Sequence, residues 1–263
     1  MAGPSARFGV NVKSTDEPEL SSPVAPTRRA GWWSGKAAWA VLDQGLFATS
    51  NFVLGILLAR WVSPEQFGSF AVAQSCFLLI GTFHSGLFIE PMLVFGSARH
   101  DMQFSAYLDI LVQAHWQATS VGSFLLACAA LVCWNADSLP LAGAFLGAAI
   151  GSPFILFGWL VRRACFSRLQ PQWAAMGGAQ YLLLLITGVY LLSVLDTLSA
   201  FSALILLGGA GLISGRWILA RLQATNPSLT GAGPSRGEVL RDHWNYGRWS
   251  LASSGLSWIY SRS

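Results

Sequence analysis

Charge is what this sequence has least of. Asp, Glu, Lys and Arg make up 11% of its 263 residues, against 53% hydrophobic ones, and the mean hydropathy is +0.50. Soluble domains carry about 25% charged residues, so this chain cannot clothe a water-facing globule. It also lacks a P-loop glycine run, a GxSxG elbow, a CxxC pair and a metal-spaced histidine pair. Those gaps exclude ATPase, soluble-type hydrolase and zinc-site chemistry, so neither enzymatic activity nor a cofactor is expected. His84, His115 and His243 do not converge by spacing. Cys76, Cys128, Cys133 and Cys165 lie in or at the ends of apolar runs. Cys128 and Cys133, five apart on one helix, project from different sides and make a poor disulfide pair. All four are read as small buried thiols.

What the chain does have is long uncharged stretches. Crossing about 30 Å of hydrocarbon takes about 20 mostly apolar residues. Lys36 to Arg60 encloses one such run, interrupted by Asp43 alone. Gln66–Ile89, Ile110–Ala136, Ser138–Val161, Leu169–Leu195 and Thr197–Gly215 are uncharged. These predict six membrane spans, the second continuing past Glu90 to Phe95, with a seventh, incomplete stretch starting near Trp249. The runs lack the period-2 alternation of a barrel, and lipid offers open backbone no partner, so each run must be a helix. The fold expected is an all-α polytopic membrane protein. Twelve Trp and sixteen Phe suit rings at lipid interfaces and between helices.

The net charge of +4 reports orientation and not a nucleic-acid partner, because the basic residues sit between the apolar runs. If the spans alternate, Arg7 to Lys36, Arg99, Arg162, Arg163, Arg168 and the five arginines from Arg216 to Arg248 share one side. The other side holds Arg60, Asp137 and Asp196. The positive-inside rule then puts the N-terminus in the cytoplasm and the chain in an inner membrane. Residues 1–35, rich in Pro, Ser and charge and lacking an apolar h-region, read as a disordered cytoplasmic tail. Residues 36–220 form the six-helix lobe. The segment 221–246, with Pro227 and Pro234, forms a cytoplasmic linker crossed by no long helix. Residues 247–263 begin a second lobe. Trp39, Gly45 and Leu46 recur at one offset as Trp249, Gly255 and Leu256, an echo that fits a parallel repeat.

Ionisable groups at membrane depth are the candidate functional residues, since each costs roughly 2.5–3.5 kcal/mol to insert. Asp43 lies in the first third of span 1, with Phe47, Ser50 and Asn51 along its face. That face either lines a cavity able to bind a coupling cation or order a water chain, or forms an interhelical hydrogen-bond network, or leaves Asp43 close enough to the cytoplasmic interface to stay hydrated. Glu90, beside the helix-breaking Pro91, either coordinates a cation or pairs with Arg99 near the cytoplasmic face. Asp109, Gln113, Gln117 and Ser120 form one stripe on span 3, with His115 off it, and the stripe should point inward. Arg162 and Arg163 either anchor span 4 or meet phosphate oxygens. Gly143, Gly147 and Gly151 make a small-xxx-small packing seam on span 4.

The stretch from Asp43-Gln44-Gly45 through Leu57-Leu58-Ala59-Arg60-Trp61 and on through Ser63-Pro64-Glu65-Gln66-Phe67-Gly68 resembles the opening of polysaccharide and O-antigen flippases of the oligosaccharidyl-lipid/polysaccharide exporter superfamily. Glu90-Pro91-Met92, Arg162-Arg163 and Trp244 to Trp249 are similar to it as well. The resemblance implies two six-helix lobes around a cavity, of which this chain covers the first and stops at the start of the second. A homodimer or a separate second half would then complete it. It implies translocation of an undecaprenyl-diphosphate-linked oligosaccharide, arginines drawing the diphosphate and Asp43, Glu90 or Asp109 serving a coupling cation. A drug or cation antiporter of the same architecture and a non-transporting scaffold or remnant are the alternatives.

Overall fold

A computed structural model of the chain describes residues 29–225 and 233–260. Helix α1 spans Arg29–Trp61, α2 Pro64–His84, α3 Glu90–Ala98, α4 Phe104–Asn135, α5 Leu139–Ser167, α6 Pro171–Val194, α7 Ala200–Thr225 and α8 Arg236–Tyr260. A π-helical turn, Ser85–Ile89, carries α2 into α3 without interruption. No strand occurs among the described residues. Among the described residues, six segments are long and apolar enough to cross a membrane: α1, the α2–α3 unit, and α4 to α7. The chain is an all-α polytopic membrane protein.

Several expected boundaries move. The tail was expected to reach residue 35, but α1 begins at Arg29, and residues 1–28 lie outside the described residues. The expected linker is helical at both ends, because α7 continues to Thr225 and α8 starts at Arg236. The seventh stretch is thus the second half of a 25-residue helix, not an element beginning at 247. Residues 261–263 lie outside what is described, as do the surroundings of Gly255 and Leu256, two of the three residues that repeat in the internal echo.

The connectors are short, but packing does not follow chain order: α1 lies on α6, and α5 lies on α7. Three of the helices end on a residue in the left-handed region: Asp137 (φ 56°), Leu169 (φ 53°) and Asp196 (φ 53°). Each lets the following N–H reach back to a carbonyl of the last turn, as in Gln170 N–H to Cys165 O at 2.8 Å. The Ser63-Pro64-Glu65-Gln66 stretch is a helix start. The Ser63 hydroxyl accepts the Gln66 N–H, and Pro64 needs no donor in the first turn. The Gln66 side chain then accepts the Ala200 N–H at 2.9 Å, tying the start of α2 to the start of α7.

Helix α5 is the centre of the bundle. Two-thirds of its most apolar window is buried, against about a fifth for α1 and α4. It packs on α2, α4 and α7, while α6 joins α7 to α1. The predicted glycine seam is there and is longer than expected. Backbone to backbone, Gly147 of α5 meets Phe201 of α7, Gly151 meets Leu204 and Gly208, and Gly158 meets Gly211 and Gly215. A methyl built on Gly151 would lie 2.4 Å from the Leu204 carbonyl oxygen. Apolar side chains cover the outside of the bundle, with Phe52, Phe124, Leu183 and Val194 each more than 60% exposed. In lipid these positions are solvated by acyl chains. Cys128 faces the same way, so it is not the buried thiol expected, while Cys165 is fully buried and all four thiols are free.

Candidate functional site

The residues singled out from sequence separate into three places. The first is a buried ion pair between α1 and α5. Asp43 and Arg162 are both buried, and the guanidinium grips the carboxylate with two bonds, Nε to Oδ1 at 2.6 Å and Nη2 to Oδ2 at 2.8 Å. Nη2 also donates to the Asp43 backbone carbonyl at 3.2 Å. The Phe47 ring lies 4.4 Å from the guanidinium carbon. This is the interhelical network reading of Asp43, with an arginine as its partner. Arg162 is thereby committed, and it is not an open anion site. Beside the pair is a cavity of about 30 Å³, the size of one water, walled by Gly158, Gly177, Gly211, Tyr181 and the Ser214 hydroxyl. Arg163 is half-buried next to it, over the Phe166 ring. Further along α1, Ser50 is buried and bonds its own helix, whereas Asn51 is exposed and donates to Phe47 O.

The second place is the polar stripe of α4. Asp109, Gln113, Gln117 and Ser120 share one face as predicted, but that face is exposed and turned away from the lobe's core. Leu108, Leu111, Ala114 and His115 fill the inward face instead. The stripe runs from the second turn to the middle of the 32-residue helix. Beyond it the same outward surface turns apolar, at Val121, Phe124 and Leu125. Gln223 of α7 donates to Asp109 at 3.2 Å, and Arg236 of α8 donates to Gln117 at 2.6 Å.

The third place is a cleft of about 570 Å³ between α3 and α8. Glu90 stands on its wall and accepts a hydrogen bond from Ser250. Arg99 does not pair with Glu90, the partner expected for it at the cytoplasmic end of the span. It pairs with Asp242 of α8 at 2.7 Å, because α8 lies alongside α3 and brings a closer carboxylate. The rings of Phe95, Tyr246 and Trp249 and the polar groups of Asn245 and Ser253 complete the lining.

No family model, curated protein or solved structure matches this chain. What the site can do is therefore read from its geometry. The stripe and the cleft are both open and polar, and α8 touches both. The ion pair is closed and joins two spans.

Sequence spacing misjudged the histidines. His84 and His115, from α2 and α4, bond ring to ring at 2.9 Å in the buried interior. His115 Nε2 faces the Pro153 carbonyl at 3.1 Å, so that nitrogen carries the hydrogen and Nδ1 accepts from His84 Nε2–H. His84 Nδ1 has no partner. His243 of α8 meets Tyr107 and the π turn. His84, Tyr107 and His115 on apolar helices, with His243 on polar α8, were the available signal. Their convergence depends on helix pairing, which spacing along the chain does not encode.

Proposed function

We propose that the chain forms one lobe of a membrane transporter, with a polar path along α4 and the α3–α8 cleft, and that its cargo is a lipid-linked oligosaccharide. The stripe of α4 carries this reading. A carboxylate and two amides on the outward face, reaching mid-bundle, are costly against acyl chains, so that face belongs against water or another polar surface. A second lobe or a second copy of the chain across this face would enclose the path. The cleft suits a sugar, because Glu90, Asn245 and the serines offer hydrogen-bonding groups beside the flat faces of three aromatic rings. The resemblance in the first span supports the lipid-linked class. With Arg162 held by Asp43, the part of drawing a diphosphate passes to exposed arginines of α8, Arg241 and Arg248 among them. The basic end faces the cytosol of a cell with an inner membrane in this reading. The same rings and Glu90 also favour an organic cation, the second reading.

The two are separated in liposomes holding the chain over a range of protein-to-lipid ratios. A fluorescent lipid-linked oligosaccharide and a fluorescent drug cation are compared, each scored by its accessibility to a membrane-impermeant reductant. Faster exposure of the oligosaccharide is expected, with Glu90→Gln and Trp249→Ala each slowing it roughly tenfold, or about 1.4 kcal/mol. Movement of the cation alone would favour the organic-cation reading, and movement of neither at any ratio would remove the transport reading.

A further inference from the structure

The π turn between α2 and α3 is fastened to α8 by one imidazole. Pro91 has no N–H, so the carbonyl four residues earlier, that of Leu87, loses its α-helical donor. His243 Nδ1 sits 3.1 Å from that oxygen. A carbonyl can only accept, so Nδ1 carries the hydrogen and, in the neutral ring, Nε2 is a lone pair. The Tyr107 hydroxyl of α4 fills it, donating at 2.6 Å. His243 is buried, and both its nitrogens are committed in the neutral form. The backbones come close around it. A methyl on Gly247 would lie 2.9 Å from the Gly86 carbonyl oxygen, and one on Gly86 would lie 2.8 Å from the Leu251 side chain.

We propose that His243 is a proton-operated latch on α8: neutral, it fastens the helix to the π turn and α4, and protonated, it releases it. A second ring hydrogen on Nε2 would point at the Tyr107 hydroxyl, which must then turn its own hydrogen away. The charge would sit in a site that water does not reach. The titratable and charged groups around it are few. On α8 there are Asp242, already held by Arg99, and Glu238. His100, before α4, stacks on Tyr107 at 4.5 Å. From α3 come Arg99 and the Phe95 ring, and Glu90 is engaged by Ser250. Burial holds the imidazole of His243 down to about 4, with His100 acting the same way and the Leu87 carbonyl and Asp242 opposing. Neutral His243 is thus the docked form, and docking weakens as pH falls from about 6.5, where a free imidazole titrates, toward about 4. Release of α8 would part Ser250 from Glu90 and Asp242 from Arg99, opening the cleft. The latch holds whatever the cleft carries.

Hydrogen–deuterium exchange of the whole chain in nanodiscs tests it, with intrinsic rates corrected, from neutral pH down through about 4. Amides of 85–99 and 236–253 should lose protection on acidification while those of α5 and α7 keep theirs. His243→Asn keeps a donor for the Leu87 carbonyl but takes no proton, so its protection should not change with pH. Tyr107→Phe removes the bond that favours a bare Nε2 and should raise the midpoint. Unchanged protection in the wild type overturns the proposal, as does an equal loss in His243→Asn. Should His243→Asn fail to dock at any pH, Tyr107→Phe decides: a raised midpoint supports the latch and an unmoved one refutes it.

Discussion

Asp43→Ala should lower the stability of the solubilised chain by about 3–5 kcal/mol, while the double variant Asp43→Leu/Arg162→Met should recover most of the loss. Removing the carboxylate leaves the Arg162 guanidinium among Phe47, Gly178 and Tyr181, 8% exposed and without its bidentate acceptor. An unpaired buried charge is costly, whereas a well-packed apolar pair of similar volume is close to neutral. Arg162→Met alone should also destabilise the chain, since it leaves the buried Asp43 carboxylate without its partner. Chemical denaturation in detergent, followed by circular dichroism, gives all three numbers. An Asp43→Ala variant as stable as the wild type would mean that the pair does not hold α1 to α5, and would return Asp43 to the reading in which it serves a coupling cation.

The second large effect belongs to the α5–α7 seam. Gly151→Ala places a methyl 2.4 Å from the Leu204 carbonyl oxygen, and Gly208→Ala places one 2.7 Å from the Gly151 Cα. Backbone cannot turn aside as a side chain does, so the helices must separate, at about 1–3 kcal/mol for each methyl. Gly151→Leu should prevent assembly of the lobe. The control is the next residue along: a methyl on Gly209 meets nothing within 4 Å, so Gly209→Ala should be neutral or stabilising by up to about 1 kcal/mol. The comparison of Gly208→Ala with Gly209→Ala isolates the seam from helix propensity, because both sit in the same turn of α7. Equal thermal stability for the two would mean the helices are not in contact there.

The six spans were legible because hydrocarbon thickness sets a length that the uncharged runs must meet, and all six do. The glycine seam was legible for a similar reason, since residues at i and i+4 share a face whatever that face meets. Which way a face points was not legible. In water a polar stripe marks the outside, but in lipid both faces of a span can be apolar. The stripe from Asp109 to Ser120 was therefore expected to point into the lobe, and it faces out of it instead. The pairings were hidden as well. Asp43 and Arg162 are 119 residues apart, and His243 is 136 from Tyr107. Such contacts follow from which helices pack together, and a run of leucines and alanines does not specify its neighbour. Pro91, expected to break the helix, instead lies in a continuous α2–α3 unit and leaves the Leu87 carbonyl without its α-helical donor. The donor that answers it comes from α8, which the sequence presented as a linker followed by a fragment of a span.

Water reaching the outward face of α4 is the claim on which the transporter reading depends. Single cysteines at Gln113, Gln117, Ser120, Val121, Phe124 and Leu125, each in a chain with its four native cysteines replaced, can be challenged in bilayers with a membrane-impermeant maleimide. The account predicts rapid modification of Gln113→Cys, Gln117→Cys and Ser120→Cys and none of the other three. Labelling of the first three no faster than Phe124→Cys would contradict it.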